Sequence, residues 1–518
     1  MRESSVFNNG PALDRRSFLR AGLAFGGAVA GAGLLGACGG PGSASGGSGA
    51  KTLTIGTVVV DDTLNPMEEQ FTTFQFNAFD GLVRRLRGDT EAVPRLAEEW
   101  SQKSDTVWRF KLRAGATFHN GRPVTADDVV FSFTELLGEK YANASLIDTI
   151  KDVRKVDATT VEIETTVPDP LLLSRVGQVF VVPADYWRQK GPDGFAQAPI
   201  GSGPFKIESF SVDRGVEFAA YDGFWGDKPK SSEVVLRYFS DPDAMAAALQ
   251  AGQIDAAQNL GAESIKTLDG RDGITVDTDF SGNQNMFQLN TSKAPFDDVR
   301  VRQAAVKAID AKALIQAMTY GAGVIEDGQL PVKGVFGHSP GITRPAYDRP
   351  GGGEEPAEVR GRGGRRDRDL RDVALQEAVR GDRGPAPAGR LQAQDQRGGG
   401  AGLGEDVPQR LGRRHLLPRR LLHGHLDADR PYSFVSSSKK PFVQDAEWDG
   451  LMKAQRTEMD SAAREKKLID CSRHLLDRSY ILYTYGGPTV GAHRDGVTGF
   501  DNSNGLMLLL DGIGKQGS

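Results

Sequence analysis

A few side chains in this sequence have the types and spacing that catalysis requires. Ser436 and Lys439 fit the S-x-x-K pattern of penicillin-binding enzymes, in which a serine nucleophile works with a nearby lysine. The S-D-N and K-T-G partners of that pattern are absent, so a solvated polar loop explains the pair better. The sequence also has no Walker A, G-x-G-x-x-G or paired CxxC motif. We therefore predict that the protein is not an enzyme.

Metal and cofactor chemistry is no better supported. The histidines that are close enough in sequence to suggest a metal site are His415, His423 and His425. They lie in a segment of unusual composition, and we predict no metal ligands there. His119 fits a turn, and Asp127-Asp128 fit the start of a helix, whose dipole favours acidic residues. We predict no cofactor and no metal.

Two cysteines cannot form a disulfide framework, and they differ in setting. Cys471 lies in the body of the chain, where an unpaired cysteine is more often a small core residue than a reactive thiol. Cys38 ends the run Leu35-Gly36-Ala37-Cys38, which resembles a bacterial lipobox. We expect cleavage before Cys38 and lipid attachment to its sulfur; the alternative is an ordinary cleaved signal.

The segment before Cys38 has the features of an export signal. Arg15 and Arg16 fit a twin-arginine motif, and a Gly/Ala-rich apolar run from 21 to 37 follows. That run is interrupted by glycines, which favours a signal over a permanent membrane helix. Residues 39–50 are Gly/Ser-rich and predict a flexible tether.

Length and charge narrow the class of protein. A chain of 518 residues is too long for one core and predicts two or three lobes. The 63 basic and 68 acidic residues nearly balance, so the protein as a whole has no positive electrostatic field that would attract nucleic acid or an anionic membrane.

The most informative stretch runs from Pro94 to Phe133. It predicts a helix end, a loop, a β-hairpin and a capped helix. Apolar residues alternate with charged ones from 108 to 112, the period of a half-buried strand. Asn120-Gly121 predicts a turn, and Thr125 with Asp128 forms a capping-box pattern.

The strings PRLAEEWS, W-x-F-x-L-R-x-G-x-x-F-H-N-G and PVTADDVVFSF in this stretch resemble the extracellular solute-binding proteins of peptide and nickel ABC importers, family 5. G-S-G-P at 201–204 and P-F-D-D-V-R at 295–300 extend the resemblance, and Asp297 or Asp298 is a good N-cap for a helix that follows. It implies an α/β fold of the type II periplasmic-binding-protein class, with two hinged lobes and a small α+β subdomain. The expected parts are a signal (1–38), a tether (39–50), lobe 1 (51–95, 199–278 and 481–518), the subdomain (96–198) and lobe 2 (279–480).

The resemblance also implies where a ligand would bind. In the family, the loop after the first strand borders the ligand cleft, and a strand that starts near 283 enters the second lobe. The candidate ligand-binding residues are Met67, Gln70, Phe71, Phe74, Trp225, Asn283, Gln284 and Asn285. Because Phe71 and Phe74 have helical spacing, they fit core positions as well as they fit the cleft. Trp225 lies beside glycines, and in such a setting an aromatic residue is at least as often a packing anchor as a ligand contact.

The segment 348–431 has a composition unlike the rest of the chain. It contains only Ala, Arg, Asp, Gln, Glu, Gly, His, Leu, Pro and Val. These are residues whose codons can begin with G or C, so a slipped reading frame in a GC-rich gene explains the restriction. A disordered or nucleic-acid-binding insert does not explain the missing Ser, Thr, Asn and Lys. We hypothesise a frameshift near Asp348, a compensating one near Pro431, and disorder between them.

The function that follows from the resemblance is solute capture. A peptide or similar small solute would bind in the cleft, and the closed protein would dock on a membrane permease powered by separate ATPase subunits. We expect a monomer held by lipid on the outer face of the cytoplasmic membrane, without a nucleic-acid partner. The alternatives are a secreted lipid-anchored hydrolase, a solute receptor for signalling, or a non-functional frameshifted copy.

Overall fold

The computed structural model describes residues 52–68, 72–86, 91–138, 141–280, 283–348, 416–422, 427–435, 442–505 and 507–516. Several predicted features lie outside the described residues: the export motif at Arg15 and Arg16, Cys38, the tether, Gln70, Phe71, Ser436, Lys439 and the histidines at 415, 423 and 425.

The first lobe is built on a mixed seven-stranded sheet, with β1 (Leu53–Thr57) at its centre. β1 pairs in parallel with β10 (Glu233–Tyr238) and β11 (Ala256–Leu260), and Leu53 and Ile55, which share one face of the strand, are fully buried. The strands run in the order β12-β16-β11-β1-β10-β9-β8. Their bounds are β8 Phe205–Ser211, β9 Gly215–Ala220, β10 Glu233–Tyr238, β11 Ala256–Leu260, β12 Ile274–Asp279 and β16 Thr489–Arg494.

Short elements cover this sheet and complete the first lobe. The helices are α1 Thr73–Ala78, α5 Pro242–Gln250 and α6 Glu263–Leu268, and the small strand pairs are β2 Val83–Arg84 with β3 Val93–Pro94, and β17 Val497–Thr498 with β18 Gly514–Lys515. Asp241 caps α5 as its side chain accepts from Asp243 N–H. Asn77 of α1 donates to Leu508 O and accepts from Leu510 N–H, which fixes the C-terminal segment to the lobe.

A four-stranded sheet in the order β4-β5-β7-β6 forms the small subdomain. Its elements are β4 Ala97–Ser104, β5 Val107–Leu112, α2 Ala126–Leu137, a 3-10 helix Ala142–Ile147, β6 Ile150–Lys155, β7 Thr160–Thr165, α3 Leu172–Val176 and α4 Ala184–Gln197. The predicted capping box is present at α2, where Thr125 N–H donates to Asp128 Oδ2 at 3.0 Å. The predicted turn is also present, with Gly121 at φ +81°.

The helix end predicted for the start of the 94–133 stretch is wrong, because residues 97–104 form β4. β4 pairs along its length with β5, and Trp100 lies opposite Phe110. Leu-Ala-Glu-Glu has good helix propensity, but propensity is a weak preference that cross-strand pairing overrides.

The second lobe is built on a three-stranded antiparallel sheet with β13 (Asn283–Leu289) between β14 (Leu416–Leu422) and β15 (Ile481–Gly486). Both faces of this sheet are covered, since Met286 and Tyr483 belong to one apolar cluster and Phe287 and Leu482 to another. The covering helices are α7 Val299–Lys307, α8 Ala311–Thr319, α9 Asp429–Ser433, α10 Ala446–Arg456 and α11 Ser461–Arg478. Asp298 caps α7, as predicted for Asp297 or Asp298.

Two boundaries of the second lobe differ from the prediction. We expected the chain to return to the first lobe at 481, but β15 is buried along its length and pairs with β13, so the return follows Gly486. We also expected disorder throughout 348–431. The described parts of that segment are ordered instead: β14 pairs with β13, and Asp427 and Ala428 are buried. Among the described strands β14 lies at the edge of this sheet, a position that tolerates a proline such as Pro418.

Among the described helices, none combines the length and the apolar character needed to cross a bilayer.

Candidate functional site

Within the described residues the chain passes between the two lobes twice, and the residues that flank the two passages lie side by side. β12 ends at Asp279 in the seven-stranded sheet and β13 begins at Asn283; β15 ends at Gly486 and β16 begins at Thr489. Gly487 N–H donates to Asn283 O at 2.8 Å, which ties one passage to the other. We call this region the crossover. In a fold with two hinged lobes, a crossover of this kind is the place about which the lobes bend.

The predicted ligand residues Asn283, Gln284 and Asn285 start β13 at the crossover. Because side chains alternate along a strand, Asn283 and Asn285 share one face. A Cβ placed on Gly487 would lie 3.8 Å from Asn283 Nδ2 and 3.6 Å from Asn285 Nδ2, so both amides lie beside this glycine. The structure therefore brings these two predicted residues together.

Gln284 lies on the opposite face and has a different role. It is fully buried, and its Nε2 donates to Glu326 Oε2 at 2.9 Å and to Gln329 O at 2.8 Å. Since both amide hydrogens are used inside the protein, Gln284 orders the loop at 326–329 against the crossover.

Glu326 is a buried acid at the crossover that sequence reasoning missed. Val324 and Gly486 exchange two backbone hydrogen bonds of 2.9 Å, which brings Glu326 against the end of β15. Burial raises the pKa of Glu326 to about 7, although the hydrogen bond from Gln284 lowers it. In the sequence, Glu326 is marked only by its place between Ile325 and a turn at Asp327-Gly328. Acidic residues in such places are common in surface loops, so nothing predicts that this one is buried.

The loop after β1 holds the predicted residue Met67. Asn65 Oδ1 accepts from Met67 N–H at 3.0 Å, which forms a local turn, and the Met67 side chain is buried in the core of the first lobe. Phe74 is fully buried in α1 and meets Phe79 edge-on with 6.4 Å between the ring centroids. In this structure Phe74 is a core residue, the alternative that its spacing left open.

Asp61, in the same loop, is a second buried acid that sequence reasoning missed. It is 1% exposed, and Tyr238 Oη donates to its Oδ2 at 2.5 Å. Burial raises the pKa of Asp61 to about 6, against the opposing hydrogen bond from Tyr238. The pair joins the loop to β10, so Asp61 positions the loop.

Trp225 lies in a cluster of charged residues between the first lobe and the subdomain. Its Nε1 donates to Asp80 Oδ2 at 3.2 Å, and the Arg113 guanidinium carbon lies 4.1 Å from the ring centroid. Asp80 also pairs with Arg95 at 2.5 Å. These contacts of Trp225 are all internal, which favours the packing-anchor interpretation.

His119 fastens the glycine-rich turn at Gly201–Gly203. Gly201 N–H donates to Nδ1 at 3.3 Å, and Nε2 donates to Gly203 O at 3.1 Å, which requires the neutral imidazole. Burial lowers the pKa of His119 to about 4. The turn approaches α1 so closely that a Cβ at Gly201 would collide with Ala78 O. His119 is thus structural, in agreement with its turn interpretation.

One group of described residues has the composition of a metal site: Asp445, Glu447 and His474. Asp445 Oδ1 accepts from Glu447 N–H at the start of α10, and Oδ2 accepts from His474 Nε2 and Tyr480 Oη, both at 2.6 Å. Burial alone would raise the pKa of Asp445, but these hydrogen bonds lower it to about 2. Because both carboxylate oxygens already have donors, a helix cap accounts for the group.

Cys471 is fully buried in the core of the second lobe, and burial raises its pKa to about 12. A thiol in that setting stays protonated and unreactive at neutral pH.

Comparison with known proteins identifies the family. The model of the bacterial extracellular solute-binding proteins, family 5, matches residues 91–358, just over half of the chain. The chain belongs to this family. The sequence resemblance is thereby confirmed, and the members of the family are solute-binding proteins.

Individual relatives of this family 5 protein bind different compounds. The dipeptide-binding protein of Escherichia coli (strain K12) is 29% identical over 329 residues, 58% of this chain and 61% of that protein. Heme-binding protein A of Haemophilus influenzae is 30% identical over 279 residues, 49% of this chain and 51% of that protein. The chain thus matches about half to three-fifths of the length of these curated relatives.

A solved structure confirms the fold class. The periplasmic-binding protein AgaA from A. tumefacien R10, in complex with agropinic acid, superposes with a TM-score of 0.72 at 22% identity. The match covers 90% of this chain and 99% of that one. The type II periplasmic-binding-protein fold predicted from the sequence is therefore correct.

Proposed function

We propose that this protein is the exported, lipid-anchored substrate-binding component of an ABC importer, which captures a peptide or similar small solute and delivers it to a membrane permease. The observation that carries this proposal is the crossover, where two neighbouring passages join two separately packed lobes. Such a hinge lets a bound solute shift the protein from an open to a closed form. The relatives named for dipeptides and heme support capture rather than catalysis.

The ligand-binding residues of this proposal lie at the crossover and in the loop after β1. Asn285, which is partly exposed, presents its amide group beside Gly487, where it would hydrogen-bond to polar groups of a solute, and the buried amide of Asn283 lies next to it. Gln70 and Phe71 belong to the segment that borders the cleft in the family, and Met67, whose side chain is buried in the core of the first lobe, would hold that loop in place. Phe74 and Trp225 contribute indirectly, by holding the first lobe and the subdomain in place.

Membrane attachment in this proposal depends on Cys38. Export would follow the twin-arginine route through Arg15 and Arg16, and lipid on Cys38 would hold the protein to the outer face of the cytoplasmic membrane through the 39–50 tether. We expect Cys38→Ser to release the protein from the membrane fraction. Labelled fatty acid found on the Cys38→Ser variant would contradict this.

The expected partners are the permease, contacted directly, and the ATPase subunits, contacted only through the permease. A monomer suffices for this role, and the nearly balanced charge gives no support to nucleic-acid binding.

Differential scanning fluorimetry of the full chain against peptides, sugars and metal chelates tests the proposal. A solute that binds only the native state raises the free energy of unfolding, by about 2.7 kcal/mol when its concentration is a hundred times Kd, and the melting temperature rises accordingly. We expect one solute class to do so without being consumed. Turnover of a peptide or ester would instead favour the hydrolase, and a solute that binds without import in cells would favour a signalling receptor.

A damaged copy is the remaining alternative, because of the composition of 348–431. Melting that becomes cooperative only after the neighbouring frame is rebuilt would support it. Clean sequencing reads in the present frame, with a cooperative melt, would exclude it.

A further inference from the structure

A contact outside the crossover joins the two lobes directly. Lys266 Nζ lies 4.1 Å from the centroid of the Tyr320 ring, which is close enough for a cation–π interaction. Lys266 belongs to α6, whose Leu268 is buried in an apolar cluster of the first lobe. Tyr320 directly follows α8, whose Leu314 packs in the core of the second lobe. The ammonium group and the ring therefore belong to different lobes.

Tyr320 is an unusual residue for its position. It follows α8 with a φ of +55°, in the left-handed region that favours glycine at the end of a helix. The residue is 50% exposed, so its ring does not fill the core of its own lobe. A glycine would end α8 without backbone strain, whereas the contact with Lys266 accounts for an aromatic side chain at this point.

The second lobe also approaches the subdomain. Arg456, at the end of α10, pairs with Asp429 of its own lobe at 2.6 Å. Burial alone would lower the pKa of Arg456, but the negative charges of Asp429, and of Asp148 and Asp169 in the subdomain, raise it. Besides the crossover, the second lobe thus meets the rest of the molecule at two places, as is expected of a closed arrangement of the lobes.

The charges beside the subdomain do not all attract one another. Burial lowers the pKa of Arg430 in α9, the nearby Asp429 raises it, and the like charge of Arg175 in α3 lowers it again. Repulsion between Arg175 and Arg430 offsets part of the attraction that Arg456 gains. The contact between α6 and α8 joins one cation to a neutral ring, so it is purely attractive.

We propose that Lys266 and Tyr320 form a latch that stabilises the closed arrangement of the lobes. This goes beyond solute capture, because the latch acts in the protein without solute. An exposed cation–π contact shifts the ratio of closed to open molecules by about two- to fivefold. In the proposed function a solute enters and leaves through the open form, so the latch slows exchange in both directions.

Distances between two spin labels, measured by pulsed electron paramagnetic resonance on the full chain without solute, test the latch. The labels are attached to Asp185→Cys in the subdomain and Glu465→Cys in the second lobe, which are both exposed positions. The background carries Cys38→Ser, and the fully buried Cys471 stays unlabelled. We expect a shorter and a longer distance, whose ratio shifts towards the longer one by about two- to fivefold in Lys266→Met and in Tyr320→Leu.

Matched variants separate the latch from other effects. Tyr320→Phe retains a ring and should keep the wild-type ratio. Lys312→Met removes an exposed lysine of α8 and should also leave the ratio unchanged. The double variant Lys266→Met/Tyr320→Leu should shift the ratio no further than either single variant, because both changes remove the same contact.

The outcomes are independent of the proposed function, since no solute is present. Unchanged ratios in Lys266→Met and Tyr320→Leu, or shifts that add in the double variant, overturn the latch and leave solute capture standing. An equal shift in Tyr320→Phe and Tyr320→Leu also overturns it, because the ring is then not what holds the lobes. A melting screen in which no solute binds would overturn solute capture and leave the latch standing.

Discussion

Asp427 and Arg464 form a buried two-point ion pair in the second lobe, with nitrogen–oxygen distances of 2.6 and 2.7 Å. Their side chains are 10% and 4% exposed. Asp427 lies near the end of the segment with restricted composition, whereas Arg464 lies in α11, where the family pattern continues. A matched pair across this boundary is expected if Asp427 is in its proper frame, in which case a compensating frameshift would fall before Asp427 rather than near Pro431.

Breaking this pair should strongly destabilise the second lobe. Arg464→Met leaves Asp427 buried without its counter-charge, and we expect a loss of about 3–5 kcal/mol in the free energy of unfolding. Asp427→Asn combined with Arg464→Met should recover part of that loss, since no unpaired charge remains. Urea unfolding measures both. Additive losses in the double variant would contradict the pairing.

The stability of the protein should fall in mild acid because of His119. Its folded pKa of about 4 lies below the usual 6.5, so the folded state favours the neutral ring. The stabilisation is present above pH 6.5 and is lost as the pH falls towards 4. His119→Asn keeps an acceptor for Gly201 N–H but cannot take this charge. We expect the variant to be about 1 kcal/mol less stable at pH 7 and to lose less stability on acidification. Parallel pH profiles of the two proteins would refute this.

Glu326 should produce the opposite pH dependence. Its folded pKa of about 7 lies above the usual 4.5, so the folded state favours the protonated carboxyl. This contribution is fully present below pH 4.5 and is lost as the pH rises through 7. Without solute, Glu326→Gln should therefore gain stability relative to wild type at pH 8, by roughly 2 kcal/mol, and show little gain at pH 4.5. Thermal melts across this range provide the measurement; a variant weaker than wild type at pH 8 would count against a strained, buried carboxyl.

Trp225 should behave as an anchor rather than as a ligand contact. Trp225→Ala removes the ring beside Arg113 and Arg95 and the hydrogen bond to Asp80, and we expect a cost of about 2–3 kcal/mol. Trp225→Phe retains a ring and should cost less. Neither should change solute affinity at a temperature where both are folded. Reduced affinity of a fully folded Trp225→Phe variant would restore the ligand-contact interpretation.

Local patterns predicted the local structure well. The Thr125–Asp128 cap, the turn at Gly121 and the cap of α7 depend on neighbouring residues, and these are present in the sequence string itself. The helix end predicted at the start of the 94–133 stretch is wrong because the pairing of β4 with β5 is a tertiary effect. The chain leaves the second lobe later than predicted because β15 pairs with β13, which lies almost two hundred residues earlier in the chain. This pairing is also a tertiary effect.

The candidate site was only partly predictable for the same reason. Asn283, Gln284 and Asn285 were found because the family places a strand there. Glu326 and Asp61 were missed since nothing in their immediate neighbours marks them as buried. Their significance comes from Gly486 and Tyr238, which approach them only in the folded protein.

The hydrogen bond between Gly487 and Asn283 has a consequence for the motion of the protein. Sliding one passage past the other would break this hydrogen bond, so we expect the lobes to bend about the crossover more readily than they shear. An unliganded protein restricted in this way samples few orientations, and closing around a solute then costs little rotational entropy. The solute affinity consequently depends on the fit of the groups in the cleft more than on the cost of bringing the lobes together.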